Sequence, residues 1–380
     1  MNALLKNKSE NNNQLFKNSL EIELILLCAD TQIDSEKTQR IKTVVKQKID
    51  WQDLIQMASY HKLLPLLYHK LNLTCPKIVP NDVFAYLQHH FQLNATRNLF
   101  LTNELLKLLN LFESQEISAI PIKGAILAST VYGNFGLREF CDLDILVRSQ
   151  DVIKARDLLV DQGYKSTYNF TREQEIARLR SPYCKDNNYI HKQTKVNLDF
   201  HWKLLQKYLS FPLKHEELWQ RHCSVSIAGK IVRNLSPEDN LLFLCIHGSR
   251  DRWKKIRLIS DVAQLIHAYP QINWKWLIEK ANSLGCKRRL LLGMILAKNL
   301  LHTKLPQEII QNIETESELK LIAEELTQKL FELTDTPPTS QEKYLFDLSL
   351  RERILDKVNY SINQSIVMIA RNNGILPAWI

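Results

Sequence analysis

The segment Cys141-Asp142-Leu143-Asp144-Ile145-Leu146-Val147 places two carboxylates two residues apart at the head of an apolar run. Side chains alternate along a strand, so Asp142 and Asp144 leave one face while Leu143 and Ile145 leave the other. Two carboxylates this close repel unless a cation lies between them. Mg²⁺ suits that role, because it takes one or two carboxylates together with phosphate oxygens. An Asp-x-Asp alone arises by chance about once per 400 residues at roughly 5% aspartate, and its plain reading is a polar strand edge. The neighbouring residues must therefore carry the argument.

Three neighbours do. Pro121-Ile122-Lys123-Gly124-Ala125 closes a strand and opens a helix, so free backbone N–H groups, a permissive glycine and a cation coincide where an anion binds. Arg138 precedes the acidic strand and has the planar fork that can hold a triphosphate by two parallel hydrogen bonds. Asn197-Leu198-Asp199-Phe200-His201-Trp202 sets a third carboxylate on another strand, with His201 on the same face as Asp199, where it can orient the carboxylate or pack at the sheet rim. Each has an ordinary alternative: a solvated helix start for Lys123, a surface charge for Arg138, a strand-end carboxylate for Asp199. Their order within one short segment favours the joint reading.

These residues need a sheet to hold them, and the middle of the chain offers one. Ile117–Ile122, Leu143–Val147, Tyr164–Phe170, Asn188–His191 and Lys195–Trp202 are the expected strands, with helices over Lys123–Tyr132 and Asp151–Gln162. Before them, Glu21–Ala29, Asp50–Tyr68 and Asn81–Phe112 carry apolar residues at helical spacing. After them, Ser236-Pro237-Glu238-Asp239 is a helix start. The expected helices that follow are Asp239–His247, Ile256–Ala268, Trp274–Asn282, Arg288–Leu301, Glu316–Leu333 and Ser340–Ile354. The organisation expected is a disordered tail over 1–18, an N-terminal helical region over 19–115, a small α/β domain over 116–235 and a C-terminal helical domain over 236–380.

Composition narrows the chemistry. A chain of 380 residues exceeds one compact core and predicts two to three domains. Nine glycines, with neither G-x-x-x-x-G-K-[ST] nor G-x-G-x-x-G, argue against P-loop and Rossmann sites. A net charge of +9 favours anionic or phosphorylated partners. The basic run from Arg250 to Arg257 is either a wall contacting triphosphate or a solvated loop, and a dedicated nucleic-acid groove is not favoured because no row of aromatics interleaves it. The seven scattered cysteines, never in C-x-x-C, look like buried thiols of a reducing compartment. With no signal peptide and no apolar stretch of membrane length, the expected location is the cytoplasm, with no membrane partner.

The string from Lys123-Gly124-Ala125 through Tyr132 and Arg138 to Val147, with Leu198-Asp199-Phe200-His201-Trp202, resembles the uncharacterised bacterial nucleotidyltransferases of the DNA polymerase β-like superfamily. The resemblance extends to His247-Gly248, Trp253, Arg257-Leu258 and Asp261, and covers roughly residues 20 to 305. It departs from the wider superfamily at Gly124-Ala125, where Gly-Ser is usual, so a serine hydroxyl on the phosphate is missing. The resemblance implies an α+β fold, a small mixed-sheet domain embedded between helical regions. It implies a two-metal transfer of a nucleoside monophosphate, AMP from ATP foremost, to a hydroxyl of a small molecule, peptide or protein. Asp142, Asp144 and Asp199 would hold Mg²⁺ or Mn²⁺, Lys123, Gly124, Arg138 and Arg257 would bind the nucleotide, and His201 would stand behind the carboxylates. Two other readings compete: a nucleotide-sugar glycosyltransferase using Asp-x-Asp for a metal–diphosphate, and a silent nucleotidyltransferase fold serving as a binding partner.

Overall fold

The computed structural model describes residues 19–372 except 182, 206–210, 212–214 and 333–336; the expected tail over 1–18 lies outside the described residues. The N-terminal helices are α1 (Ser19–Cys28), α2 (Ser35–Val45), α3 (Trp51–His61), α4 (Leu64–Thr74) and α5 (Asn81–Ser114). Asp34 and Asp50 cap α2 and α3 by accepting first-turn N–H groups. The single helix expected over Asp50–Tyr68 is instead two, because Lys62 turns left-handed at φ 62° and Pro65 restarts the chain in the first turn of α4.

The 34-residue α5 belongs to two cores. Val83 and Leu87 join the helical core, whereas Leu101, Leu105, Leu108 and Phe112 pack under the sheet. Next come β1 (Ala119–Pro121), α6 (Gly124–Thr130), β2 (Asp142–Val147), α7 (Val152–Asp161), β3 (Tyr164–Ser166), α8 (Arg172–Arg180), β4 (Asp186–His191) and β5 (Asn197–His201). The sheet runs β1-β2-β5-β4-β3, with β2 and β5 parallel and every other pair antiparallel. Ile145, Val147, Leu198, Phe200 and Tyr189 bury the face turned toward α5. The opposite face carries Asp142, Asp144, Asp199, His201, Asp186 and Asn188, and joins a smaller apolar cluster where Ile120 and Leu146 lie with Phe243.

A short helix α9 (His215–Gln220) leads to a hairpin, β6 (Cys223–Ile227) and β7 (Lys230–Asn234), closed by Ala228 and Gly229 at φ 48° and 82°. The C-terminal helices are α10 (Pro237–Arg250), α11 (Ile256–Ala268), α12 (Trp274–Leu284), α13 (Lys287–Leu301), α14 (Gln307–Glu314), α15 (Ser317–Leu330), α16 (Ser340–Ser349) and α17 (Ile354–Asn372). Ser236 caps α10 through the N–H of Asp239. The helices before and after the sheet share one apolar core, in which Leu24, Leu54 and Leu67 join Leu241, Val262 and Leu291. Trp253, buried between α10 and α13, fills space left by two glycines: a Cβ on Gly248 or Gly293 would stand 2.5 Å or 2.9 Å from its indole. Five of the seven cysteines are buried and all are free thiols. Among the described residues, no helix is long and apolar enough to cross a membrane.

Candidate active site

The β2–β5 ladder builds the site. Parallel register sets Asp142 beside Asn197, Asp144 beside Asp199 and Leu146 beside His201. Neighbouring strands lie about 4.8 Å apart, so residues 55 positions apart in sequence present their carboxylates side by side. Antiparallel β4 adds Asp186 opposite His201 and Asn188 opposite Asp199 on that same face. Asn188 Nδ2 donates to Asp199 Oδ1 at 2.7 Å. His201 Nε2 lies 3.1 Å from Asp144 Oδ1, and because a carboxylate only accepts, Nε2 carries the hydrogen. Asp186 pairs with Lys185 and lies 3.7 Å from His201 Nδ1.

Lys123 comes from the β1–α6 corner. The Ile122 N–H donates to the Asp144 carbonyl at 3.0 Å, continuing the pairing past β1. The chain then turns through Lys123 (φ 54°, ψ −132°) and Gly124 (φ 31°). A side chain at Lys123 in that region is strained, by about 1–3 kcal/mol, and the turn brings Lys123 Nζ to 3.0 Å from Asp144 Oδ1.

Charge is unevenly shared across this face. Burial works against the Asp144 anion, yet Lys123 and His201 hold its carboxyl well below the usual range. At Asp199 burial, then the Asp144 and Asp142 charges, outweigh the Lys123 cation and push it up to about 7. Asp142 is raised by burial and by Asp144. Burial lowers His201 despite its carboxylate neighbour. The ligating atoms of Asp144, Asp199 and His201 lie within 4.8 Å of one another, close enough to share one metal ion. With Asp142 on the same face beside this cluster, and Asp199 held up by burial and then by its carboxylate neighbours, the face offers the donor set of a divalent oxygen-liganded metal.

Arg138 sits elsewhere than its forked guanidinium suggested. It is 3% exposed, and Nε and Nη2 donate to Asp261 Oδ1 and Oδ2 at 2.8 and 2.9 Å. Tyr132 donates to the same Asp261 Oδ1 at 2.8 Å. The fork expected on a triphosphate thus grips a buried carboxylate 123 residues away, between the sheet unit and α11. Arg257, one turn before Asp261, reaches it at 3.4 Å and keeps a quarter of its side chain exposed.

Sequence reasoning gave Asp186 and Asn188 no role, and His247 entered it only within the family resemblance. The expected strand began at Asn188, so Asp186 fell before it, and only the pairing of β4 with β5 turns both residues to the site. His247 stacks on Phe243 of α10. Burial, then Lys123 and Arg250, keep its imidazole well below its usual range and hence neutral. Within the basic run, Arg250 lines a slot with Lys185 and His247 and also joins Arg252, Lys254 and Lys255 along a groove of about 550 Å³ against α15 and α16.

A small mixed sheet with converging carboxylates and a lysine at the head of the following helix is of the nucleotidyltransferase class. Residues 47–302 match the family described as uncharacterised nucleotidyltransferase, and the chain belongs to that family. No curated protein is similar enough in sequence to rank as a relative. Among solved structures, the lincomycin-bound lincosamide antibiotic adenylyltransferase LnuA is 21% identical over 37% of this chain and 84% of that one, at a TM-score of 0.27. An antigenic nucleotidyltransferase-like protein from Paracoccidioides brasiliensis is 15% identical over 56% of this chain and 97% of that one, at 0.33. Neither superposition is close enough to transfer residue roles.

Proposed function

We propose that the protein moves a nucleoside monophosphate, AMP from ATP foremost, onto a hydroxyl of a small-molecule, peptide or protein acceptor. The acceptor oxygen forms a bond to the α-phosphorus, the bond from that phosphorus to the β-bridging oxygen breaks, the hydroxyl proton is lost and pyrophosphate leaves. The observation that carries this reading is the register that seats Asp199 beside Asp144, with Asp142 two residues away on the same face.

Asp142, Asp144 and Asp199 are the residues that would hold Mg²⁺ or Mn²⁺. When bound, the metal would neutralise phosphate charge and acidify the acceptor hydroxyl. Asn188 fixes the Asp199 carboxyl through Oδ1, and His201 fixes Asp144 from behind through its Nε2 hydrogen. Lys123 lies within reach of both Asp144 and incoming phosphate. The uncapped N–H groups at Gly124 and Ala125 stand in for the missing serine hydroxyl. Arg257, a quarter exposed, would face the nucleotide together with Lys123, while Arg138 acts at one remove by anchoring Asp261. Positioning and charge are the protein's main contribution to such chemistry.

The test is incubation with each α-labelled NTP, Mg²⁺ or Mn²⁺, and a panel of hydroxyl acceptors or a cell extract. Label transfer with pyrophosphate release is expected, and Asp199→Asn should abolish it while NTP affinity stays within about tenfold. Full turnover by Asp199→Asn, or unchanged ATP affinity without metal in Asp142→Ala/Asp144→Ala, would overturn the assignment.

A further inference from the structure

Helix α17 is fixed to the body on one side. Tyr360, 3% exposed, donates to Asp347 at 3.0 Å and stacks on Tyr344 of α16. Arg353 donates to the Asn282 and Ser283 carbonyls at the end of α12. On its other side, Leu355, Val358, Ile362, Ile366 and Ile369 are each 45% to 74% exposed. At about 100° per residue, these five fall within roughly 40° of one line, and Tyr360 lies about 160° from its centre. The anchoring contacts therefore present the aliphatic stripe outward.

The spacing of the stripe is symmetric. Its successive steps are three, four, four and three residues, so it reads the same from either end about Ile362. An isologous two-fold contact needs that property, since residue i must meet j while j meets i. Turned end to end on a second copy, Leu355 meets the partner's Ile369, Val358 meets the partner's Ile366, and Ile362 meets itself. The flanks are compatible with this pairing. Asn359 and Asn363 border one side and Ser361 and Ser365 the other, so no like charges face across the axis. Between Leu355 and Ile369 the charged residues are Asp356 and Lys357, each more than about 100° from the centre of the stripe. A helix made for a lipid surface instead rings its apolar face with Lys and Arg.

We propose that α17 is a homodimerisation helix, pairing antiparallel with α17 of a second copy about a two-fold axis at Ile362. At roughly 100 Å² of apolar area per large aliphatic side chain, the stripe offers about 300 Å² per copy, against about 800 Å² in a standard interface. The dimer should therefore be weak and concentration-dependent.

Sedimentation equilibrium on the full chain from about 0.1 to 100 µM tests this. A monomer–dimer equilibrium is expected, and Ile362→Asp, which sets two carboxylates on the axis, should weaken it at least thirtyfold, roughly the effect of a central hot spot. Ile354→Asp, about 80° off the stripe's centre, should dimerise like the unmodified chain, and both variants should keep its thermal midpoint at low concentration. A mixture of Val358→Cys and Ile366→Cys chains should oxidise to a crosslinked heterodimer. Val358→Cys alone should not crosslink through position 358, since eight residues of helix separate the two copies of that position by about 12 Å. A chain that stays monomeric at the highest concentration, a dimer indifferent to Ile362→Asp, a Val358→Cys homodimer joined at that position, or vesicle binding in place of self-association would each overturn the proposal.

Discussion

Replacing Arg138 by methionine separates two roles for this side chain. Its guanidinium is 3% exposed and makes a two-pronged contact at 2.8 and 2.9 Å with Asp261, which is 1% exposed. Removing one partner of such a buried pair strands the other charge and costs about 3–5 kcal/mol. Arg257 remains 3.4 Å from Asp261 and Tyr132 still donates to it, so the loss should lie near the lower figure. A loss of about 3 kcal/mol corresponds to a fall of roughly 4 °C in thermal midpoint for 380 residues unfolding together. The double variant Arg138→Met/Asp261→Leu should regain all but about 1 kcal/mol, the remainder being the Tyr132 hydroxyl left without its acceptor. Urea unfolding of the unmodified chain and the two variants reads the stability terms, and steady-state kinetics of nucleotidyl transfer reads function beside them. An Arg138→Met protein as stable as the unmodified chain, but reduced a hundredfold or more in kcat, would refute the buried-anchor reasoning and return Arg138 to the phosphates.

Asp199 gives a pH prediction. Its folded carboxyl, held up at about 7, keeps a proton that the unfolded chain has released, so stability from this group is present at low pH and declines as pH rises toward 7. Divalent metal must displace that proton, so at pH 6 calorimetry in buffers of different ionisation enthalpy should show proton release and an affinity that increases up to about pH 7; metal uptake with no proton release would contradict it. At Lys123, glycine should give a more stable protein than alanine by about 1–3 kcal/mol, reversing the usual order, because both lose the ammonium but only glycine relieves φ 54°; equal unfolding midpoints would show that the turn stores no strain. Gly248→Ala should destabilise by about 1–3 kcal/mol through overpacking against Trp253, despite better helix propensity, and a neutral result in chemical unfolding would mean that the indole yields.

Alternation alone placed Asp142 with Asp144 and Asp199 with His201, because period two is a property of each strand by itself. The distance between the two pairs was illegible, since it depends on a register set by the packing of Leu143, Ile145, Leu198 and Phe200 against α5. Asp186 and Asn188 were hidden for the same reason. The burial of Arg138 was illegible because its partner, Asp261, is remote in sequence and nothing local distinguishes a buried fork from an exposed one. Other omissions had a visible signal: Thr171 and Gln174 form a capping box for α8, and Ala228-Gly229 between alternating segments marks the hairpin. The C-terminal boundaries were read well where caps were explicit, as at Ser236, and poorly at α14 and α17, which the sequence reading omitted.

The side-by-side seating of Asp144 and Asp199 also divides the chain into parts that tolerate length changes and parts that do not. The excursion between β2 and β5, carrying α7, β3, α8 and β4, returns to a ladder whose spacing is set by backbone hydrogen bonds and not by the length of that excursion. Residues added or lost in the surface loop near Tyr168 leave the carboxylate pair where it is. A single residue inserted in β5 between Asn197 and Leu198 would turn Asp199 and His201 into the apolar core and bring Leu198 and Phe200 to the polar face. Related chains can therefore vary most between β2 and β4, so alignment there should be judged by whether both aspartate-bearing strands, and β4 with its Asn188, keep their phase.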